Sequence, residues 1–413
     1  MRLLRLATAY PDYLREFYRA RPGLSRADHA TQLAALNHDA FGWADFWDHA
    51  LAPFGYKTCC ITSNAEPLQR AWAQEQGVRF ERSRWQHDIA AAQIAAFAPE
   101  VLFVEDFGRF SADWVHELRR RIPSIRLVIG WCGAPYEGYD AFQALDVVFS
   151  NIPEIVQDLS AHGFRAEHLH HAFEPRILAR LPARAQAPAD FTFIGQVSNE
   201  PGAHRDRLLL LKRLHDDFGI AVFSPQEKRS MALEFKTWVA RHAYFAMRWM
   251  KRLGVPSSIL ERIPVFGNAS KWAQAPRKAV FFKRLPTSIL PDMRPAVFGV
   301  EMFALLRDSR TTFNSHIGLS KRSATNMRMF ETTGVGGCLV TDWKENLHEL
   351  FDIDREVVSY RSFEECVEKV RWLLDHPTER DRIAQAGQAR TLREHTFANR
   401  APRFDELVRK HLR

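Results

Sequence analysis

Nearly continuous apolar runs alternate with amphipathic stretches through most of the chain, and this alternation constrains the fold more than any other feature. Runs that are typical of buried strands occur at 3–9, 56–63, 101–106, 126–132, 147–151 and 166–173, and again at 191–196, 221–225, 311–316, 336–342 and 356–360. Val-, Ile- and Leu-rich runs separated by helices are typical of a parallel sheet that is covered on both faces. We therefore expect an α/β protein with two doubly wound, Rossmann-like domains.

A stretch rich in Ala, Pro and Arg, residues 177–190, separates the two series and is interpreted as an interdomain linker. The predicted domains are residues 1–180 and residues 181–395, the second carrying an insertion at 226–295. A final helical segment, 396–413, is expected to pack back towards the N-terminal domain. Because ligands of open α/β sheets bind beyond the carboxyl ends of the strands, both domains are expected to face one interdomain cleft.

Several classes of protein are excluded by composition. No stretch of about 18 uncharged apolar residues occurs, so no transmembrane helix is expected. The first residues lack the apolar core and the cleavage site of a signal peptide. Five cysteines show no CxxC or Cys/His ligand spacing, which is typical of reduced thiols. These features predict a cytoplasmic, globular protein.

The positive charge is concentrated in one segment. The whole chain has a net charge of +8, whereas residues 228–284 contain 13 basic and two acidic residues and so carry +11. The rest of the chain therefore carries −3. This distribution argues against a nucleic-acid-binding fold and favours a local anionic partner.

Residues 314–342 form the most informative stretch, in the order strand, polar loop, short helix, Gly-rich turn, strand. The loop contains Lys321 and Arg322 and leads into a helix that is predicted to begin near Asn326. A helix N-terminus offers free N–H groups and the positive end of the helix dipole, to which the two side chains add point charges. The pattern therefore predicts a diphosphate site.

Arg328 and Glu331 follow within the first two turns of that helix. Glu331 can accept two hydrogen bonds from a ribose diol, as acidic residues do in other nucleotide-binding folds. The same residues fit an ordinary solvated helix start equally well, with Arg328 and Glu331 as a surface ion pair.

Three blocks near the C-terminus resemble a known family. They read FGVEMFALLRDSRTTFNSH, RMFETTGVGGCLVTDWKENLHELF and EVVSYRSFEECVEKVRWLLDHPTERDRIAQAGQARTLREHTFANR. In order and spacing they are similar to the C-terminal half of the glycosyltransferases related to the spore maturation protein CgeB, a group-1-type family with the GT-B fold. FTFIGQ and the helix after it resemble the opening of the same domain.

This resemblance implies a glycosyltransferase that binds a nucleotide-sugar donor mainly with its C-terminal domain and an acceptor with its N-terminal domain. Glu331 matches the second glutamate of the E-x7-E motif of the wider retaining group, whereas Ser323 stands where the first is expected. The resemblance implies donor contacts from the following residues: Gly195, Gln196, Lys321, Arg322, Ser323, Thr325, Asn326, Met327, Arg328 and Glu331. Backbone amides from Ala324 to Met327 would hold the sugar and the β-phosphate.

Departure of a nucleoside diphosphate develops negative charge on the leaving oxygen, and GT-B enzymes typically stabilise it with amides and cations instead of a metal. Lys321, Arg322 and Arg328 are the candidates for this role, and no metal or other cofactor is expected. If the enzyme retains configuration, the leaving phosphate can take the acceptor proton. If it inverts, a carboxylate base is required, for which Glu105 and Asp106 at the end of a strand are candidates. Their alternative role is to cap the loop that follows.

Three histidines, His168, His170 and His171, lie near the end of the last predicted N-terminal strand and so near the cleft. His170 and His171 are candidates for contacting the donor sugar or phosphate, and His171 is included among the catalytic candidates. A metal site is not favoured, since alternate residues of a strand face opposite ways and no second ligand cluster occurs.

The basic segment also carries an aromatic stripe with alternating spacings of four and three: Met231, Phe235, Trp238, His242, Phe245 and Trp249. This spacing predicts one helix face, and a basic aromatic helix can lie on an anionic membrane surface. The alternatives are that the stripe packs on its own domain or closes over the acceptor cleft. We hypothesise peripheral contact with the inner face of the cell membrane or with a polyanionic glycan.

Taken with the resemblance, these features predict a retaining, metal-independent glycosyltransferase of surface glycan or glycoconjugate assembly. Its acceptor is expected to be a glycan, a lipid-linked sugar or a protein. Two alternatives stay open, a non-catalytic protein that binds nucleotide-sugars or glycans and a GT-B nucleotide-sugar epimerase.

Overall fold

The computed structural model describes residues 1–136, 138–184, 190–197, 203–225, 292–316, 318 and 320–412, together with residues 238, 242, 246, 249, 250 and 253. The chain separates into two compact units, one formed by residues 1–192 and 297–413 and the other by residues 193–296. The domain boundaries at 180 and 395 stay predictions. The aromatic stripe lies outside the described residues except for Trp238, His242 and Trp249.

All eleven predicted strands are present, most of them shortened by one or a few residues at their ends. They are β1 Arg2–Ala7, β2 Lys57–Thr62, β3 Val101–Val104, β4 Leu127–Trp131, β5 Val147–Ser150, β6 Ala166–His168, β7 Phe191–Ile194, β8 Ala221–Phe223, β9 Thr311–Asn314, β10 Cys338–Asp342 and β11 Val358–Tyr360. The apolar runs therefore located the strands correctly, because a strand buried on both faces leaves an almost continuous apolar signature.

The described helices lie mainly between these strands. They are α1 Pro11–Arg19, α2 His29–Asp39, α3 Phe46–Leu51, α4 Glu66–Glu75, α5 Trp85–Phe97, α6 Ala112–Arg121, α7 Pro153–Ala161, α8 Ala203–Phe218, α9 Gly299–Asp308, α10 Met327–Gly334, α11 Leu347–Leu350, α12 Phe363–Asp375, α13 Pro377–Glu394 and α14 Phe397–His411. None of the helices within the described residues is long and apolar enough to cross a membrane.

The first sheet has six strands in the order β2-β1-β3-β4-β5-β6, and all its pairings are parallel. Its centre is completely buried: in β3, all four residues from Val101 to Val104 have no exposed surface. The strand order reverses between β1 and β3, where Leu4 lies opposite Leu102. Such a switch point opens a crevice beyond the carboxyl ends of the two strands.

The second sheet has five strands in the order β11-β10-β9-β7-β8. β10 pairs in parallel with β9 on one side and β11 on the other. Parallel strands place their carboxyl ends at the same edge, so the residues after β9 and β10 are brought together. Two doubly wound parallel sheets are the architecture that the alternating pattern predicted.

The extent of the last strand of the first sheet was predicted wrongly. β6 ends at His168, not at residue 173. The backbone of Phe173 pairs elsewhere, since its N–H donates to the carbonyl of His395 at 2.8 Å and its carbonyl accepts from the N–H of Phe397 at 3.1 Å. His170 and His171 therefore lie in a loop, where the alternation of strand side chains does not apply.

The last helix, α14, packs on elements of the N-terminal half. Phe397 and Phe404 contact the ring of Trp47 on α3, with centroid distances of 5.0 and 4.6 Å. The Tyr56 hydroxyl donates to Asp405 at 2.8 Å. Buried residues recur along one face of the helix at Phe397, Ala401, Phe404, Leu407 and Val408. Burial of this face, rather than helix propensity, holds the helix in place.

Candidate functional site

The helix predicted to begin near Asn326 does so. Asn326 is the N-cap of α10, and its side-chain oxygen accepts from the N–H of Arg328 at 3.0 Å. Its amide group also donates to Asn314 Oδ1 at 2.8 Å, which ties the helix start to the end of β9. Among the described residues, the N–H groups of Asn326 and Met327 donate to no protein acceptor. These two amides are the ones available to an anion at this helix N-terminus.

The two preceding amides are already engaged. The N–H of Ala324 donates to Asn346 Oδ1 at 2.6 Å, and the N–H of Thr325 donates to His316 Nε2 at 3.1 Å. The Thr325 hydroxyl is hydrogen bonded to that of Ser320 at 2.6 Å. The amides of Ala324 and Thr325 therefore shape the loop, and of the four predicted amides only those of Asn326 and Met327 have no acceptor among the described residues.

His316 and Asp342 anchor this loop at the adjoining ends of β9 and β10. Asp342 Oδ1 accepts from the N–H of His316 at 2.9 Å and lies 2.7 Å from its Nδ1. Since Nε2 accepts from Thr325, the ring proton is assigned to Nδ1. Burial favours the protonated form of Asp342, but the contacts with His316 and Lys344 outweigh it and hold the pKa of Asp342 well below its usual range.

Two residues of the N-terminal half also reach the loop. Asn151, directly after β5, donates through Nδ2 to the carbonyl of Thr325 at 2.9 Å. Glu154 Oε1, in the first turn of α7, accepts from the N–H groups of Arg322 at 2.9 Å and Ser323 at 3.2 Å. A carboxylate thus lies beside Ser323, although it comes from another part of the chain.

Arg328 and Glu331 form a buried ion pair, not a surface one. Arg328 Nη1 lies 2.7 Å from Glu331 Oε2 and 2.8 Å from the sulfur of Met302. Burial raises the pKa of Glu331, and the charge of Arg328 acts in the opposite direction. Arg328 Nε is buried without a hydrogen-bond partner in the described part of the chain. The pair is therefore held away from water beside the helix start, where a ligand can exchange hydrogen bonds with it.

The two predicted phosphate cations are exposed. Arg322 makes a two-point ion pair with Glu345, with distances of 2.8 to 3.0 Å. Lys321 accepts a hydrogen bond through its carbonyl from Lys344 Nζ at 3.3 Å. Arg322 must therefore leave or share Glu345 before it can bind a phosphate.

Gly195 and Gln196 belong to the second compact unit. The N–H of Gly195 donates to the carbonyl of Phe223 at 3.0 Å, and the carbonyl of Gln196 accepts from Arg207 at 2.5 Å. They follow β7 directly, as predicted. Their role at a diphosphate stays a prediction.

Glu105 and Asp106 follow β3, at the switch point of the first sheet. Glu105 forms an ion pair of 2.7 Å with Arg5, a residue of β1 with almost no exposed surface. Asp106 accepts from the hydroxyl of Thr8 at 2.8 Å and from the N–H of Arg109 at 3.2 Å. Asp106 therefore makes the loop-capping contact that was the alternative to a catalytic role. Within the described residues, neither carboxylate contacts the loop before α10 through a hydrogen bond or an ion pair.

The three histidines lie close together without forming a metal site. The rings of His168 and His170 are 4.3 Å apart, and His171 packs against Trp131 at 5.3 Å. Burial lowers the pKa of His170 to about 3 and that of His171 to about 4, with a further contribution from nearby positive groups. Among the described residues, no three His, Cys, Asp or Glu side chains are arranged to hold a metal ion. Both histidines are therefore neutral at pH 7 and can donate or accept a hydrogen bond.

Five residues that shape the loop were not singled out from the sequence: Asn151, Glu154, His316, Asp342 and Asn346. A signal existed for His316 and Asp342, because polar residues at the ends of neighbouring parallel strands meet at one edge of the sheet. Glu154 and Asn346 are distant from the loop in sequence, and no local pattern links them to it.

Comparison with known proteins fits this architecture. Residues 241–406 match the family model described as "Glycosyl transferase-like". HepE from Anabaena, solved in complex with UDP-glucose, is 9% identical, with a TM-score of 0.53, covering 99% of this chain and 100% of that one. A glycosyltransferase from Rickettsia africae is also 9% identical, with a TM-score of 0.52 and coverage of 100% and 98%. Sucrose-phosphate synthase from Thermosynechococcus elongatus is 9% identical, with a TM-score of 0.52 and coverage of 99% and 98%.

The chain has the GT-B fold. No curated protein matches it in sequence. The family match covers less than half of the chain, and the solved structures, each 9% identical, show a likeness of fold.

Proposed function

We propose that this protein is a retaining, metal-independent glycosyltransferase. It transfers a sugar from a nucleotide-sugar to a glycan, a lipid-linked sugar or a protein, in surface glycan or glycoconjugate assembly. The CgeB-related subgroup is part of this proposal. The observation that carries it is the buried Arg328–Glu331 pair beside the open N-terminus of α10, in a chain with the GT-B fold.

The geometry suits a nucleoside diphosphate. The free amides of Asn326 and Met327 and the positive end of the helix dipole attract a phosphate. Arg328 can add a charge-assisted hydrogen bond through its unpartnered Nε. Glu331, which forms an ion pair with Arg328, can accept hydrogen bonds from a ribose diol.

These groups also account for the chemistry. As the bond between the sugar and the diphosphate breaks, negative charge grows on the leaving oxygen, and preorganised amides and a guanidinium stabilise it. In a retaining reaction the leaving phosphate takes the proton of the attacking hydroxyl. This route does not require Glu105, whose carboxylate forms an ion pair with Arg5.

The test is a thermal-shift screen with UDP, GDP, ADP, dTDP and CMP and their common sugar conjugates. We expect one nucleotide to raise the melting temperature by several degrees, since a ligand that binds only the folded state stabilises it. Arg328→Ala and Glu331→Ala should abolish the shift. Arg382→Ala is the matched control, because Arg382 and Glu379 form an exposed pair of the same spacing at 2.8 Å on α13.

Unchanged nucleotide affinity in both Arg328→Ala and Glu331→Ala would contradict the assignment of the site. Product analysis separates the alternatives. An epimerase converts the donor without an acceptor, and a non-catalytic protein binds the nucleotide-sugar without turnover. NMR of the new linkage reports whether configuration is retained.

Contact of residues 228–284 with an anionic membrane surface is a further part of the proposal. Three described residues in this segment, Trp238, Trp249 and Leu253, are each more than half exposed. Co-sedimentation with anionic liposomes at low salt tests it, and failure to co-sediment would remove it.

A further inference from the structure

A second group of residues lies next to the loop before α10, residues 320–326, which we call the donor loop, and has no part in the proposed donor chemistry. A cavity of about 380 Å³ is lined by Pro135, Tyr136, Tyr139, Glu154, Ile155 and Asp158. We call it the tyrosine pocket. It lies beyond the carboxyl ends of β4 and β5, in the loop that follows β4 and on the first turns of α7. This edge is where ligands of parallel α/β sheets bind, and the volume falls within the range of roughly 300–1,000 Å³ for ligand sites.

The tyrosine rings are held in fixed positions. Both hydroxyls donate to Asp158, that of Tyr139 at 3.1 Å. Tyr139 also stacks on His162, with centroids 4.3 Å apart and planes 25° apart. The hydrogen bond from Tyr136 and that from Tyr139 lower the pKa of Asp158, so it is ionised at neutral pH. Two rigid aromatic rings therefore line the cavity, and the charge of Asp158 is already satisfied by protein donors.

One of the residues that line the pocket has an acceptor atom without a partner among the described residues. Glu154 Oε1 holds the amides of Arg322 and Ser323, but Glu154 Oε2 is buried and has no hydrogen-bond partner among the described residues. A buried carboxylate oxygen without a donor is unfavourable by about 1–3 kcal/mol, and more when charged. A ligand with a hydrogen-bond donor would satisfy this oxygen.

We propose that the tyrosine pocket binds one sugar ring of the acceptor, with Glu154 Oε2 accepting a hydrogen bond from a sugar hydroxyl. A sugar has two features that suit this pocket. One of its hydroxyls can donate a hydrogen bond to Glu154, and the apolar C–H face of its ring can lie against the tyrosine rings. Because Glu154 bonds the donor loop through its other oxygen, the ring is held next to the donor. This inference rests on the proposed function and specifies its acceptor as a glycan.

The test uses methyl α- and β-glycosides of glucose, galactose, mannose and N-acetylglucosamine as probes on the full chain. Saturation-transfer difference NMR should detect at least one of them, with the strongest signals on one ring face. Tyr139→Ala should raise the dissociation constant at least about ten-fold. The matched control is Trp372→Ala, which removes an aromatic ring stacked on His376 at 4.7 Å on α12 and should leave binding unchanged.

The Glu154→Gln variant separates the role of Glu154 in sugar binding from its role in holding the loop. Its carbonyl can still accept from Arg322 and Ser323, while its NH₂ group cannot accept from a sugar hydroxyl. We expect glycoside affinity to fall at least about ten-fold with an unchanged melting temperature. Glu154→Ala, in contrast, should lower both the glycoside affinity and the melting temperature, since it also removes the hydrogen bonds to the loop amides.

The outcomes distinguish this inference from the proposed function. If UDP or another nucleotide binds but no glycoside does, or if glycoside binding survives both Tyr139→Ala and Glu154→Gln, the pocket assignment is overturned and the donor site stands. If tetramethylammonium binds there and glycosides do not, the pocket is a cation site and the inference also fails. If glycosides bind as expected and no nucleotide does, the donor proposal fails.

Discussion

At the scale of single residues, Asn326 has two functions: it stabilises α10, and it leaves the first backbone amides of that helix without a protein acceptor. Its side chain caps α10 and its position leaves the first amides of the helix open. Loss of an N-cap typically costs about 1 kcal/mol of stability. Asn326→Ala should therefore lower the free energy of unfolding by about this amount and also weaken nucleotide binding, because the frayed first turn no longer presents its amides.

The control is a second capped helix. Ser362 caps α12, with its hydroxyl accepting from the N–H of Glu365 at 3.1 Å. Ser362→Ala should cost a similar free energy in urea denaturation but leave the nucleotide-induced thermal shift intact. Equal loss of nucleotide binding in both variants would indicate that only general stability is involved.

The Ser323 position shows what a motif comparison can miss. The sequence places Ser323, not an acid, at the first position of the E-x7-E motif. In the structure a carboxylate lies beside Ser323, supplied by Glu154 at 3.2 Å from its N–H. A motif comparison confined to residues 314–342 does not include α7, the helix that carries this carboxylate.

At the scale of elements, α14 stabilises the N-terminal half. Phe404 is fully buried and contacts Trp47, Phe103 and Phe149. Phe404→Ala should lower the free energy of unfolding by about 3–5 kcal/mol, since it removes a large buried ring and leaves a cavity.

Urea denaturation followed by tryptophan fluorescence measures this loss, because Trp47 lies against the substituted ring. Leu392→Ala on α13 is the comparison, as Leu392 is 36% exposed and its truncation removes little buried surface. A loss for Phe404→Ala no larger than that for Leu392→Ala would show that α14 docks independently of the core.

The shortened β6 shows that a local sequence pattern does not fully predict where a strand ends. The run from 166 to 173 has the composition of a strand, and its first three residues form one. Phe173 instead hydrogen bonds with residues 395 and 397 at the start of the last helix. The pairing of Phe173 with residues distant in sequence decides where the strand ends. The local apolar pattern carries no information about that pairing.

At the scale of the whole molecule, stability should depend on pH through buried histidines. Burial lowers the pKa of His170 to about 3 and the pKa of His171 and His395 to about 4. Between these values and about 6.5 the unfolded chain binds protons that the native protein does not. Stability should therefore fall as the pH is lowered from about 6.5 towards 4, by at most about 1.4 kcal/mol per pH unit for each histidine.

Urea denaturation at a series of pH values measures this slope. His395→Gln should flatten this slope, because burial lowers the pKa of His395 to about 4. Asp342 contributes in the same direction at lower pH, because its pKa is depressed and its stabilising contacts are lost when it is protonated. A slope that is unchanged in His395→Gln would show that this histidine titrates normally in the native state.

The two parallel sheets, the approximate positions of the eleven strands and the helix capped by Asn326 could be predicted from local sequence patterns. These follow from burial on both faces of a strand and from capping, which leave their marks on adjacent residues. Three features could not be predicted in this way: the burial of the Arg328–Glu331 pair, the pairing of Glu105 with Arg5, and the contact of Glu154 with the donor loop. Each of these depends on which distant segments pack together, and a local pattern does not record that choice.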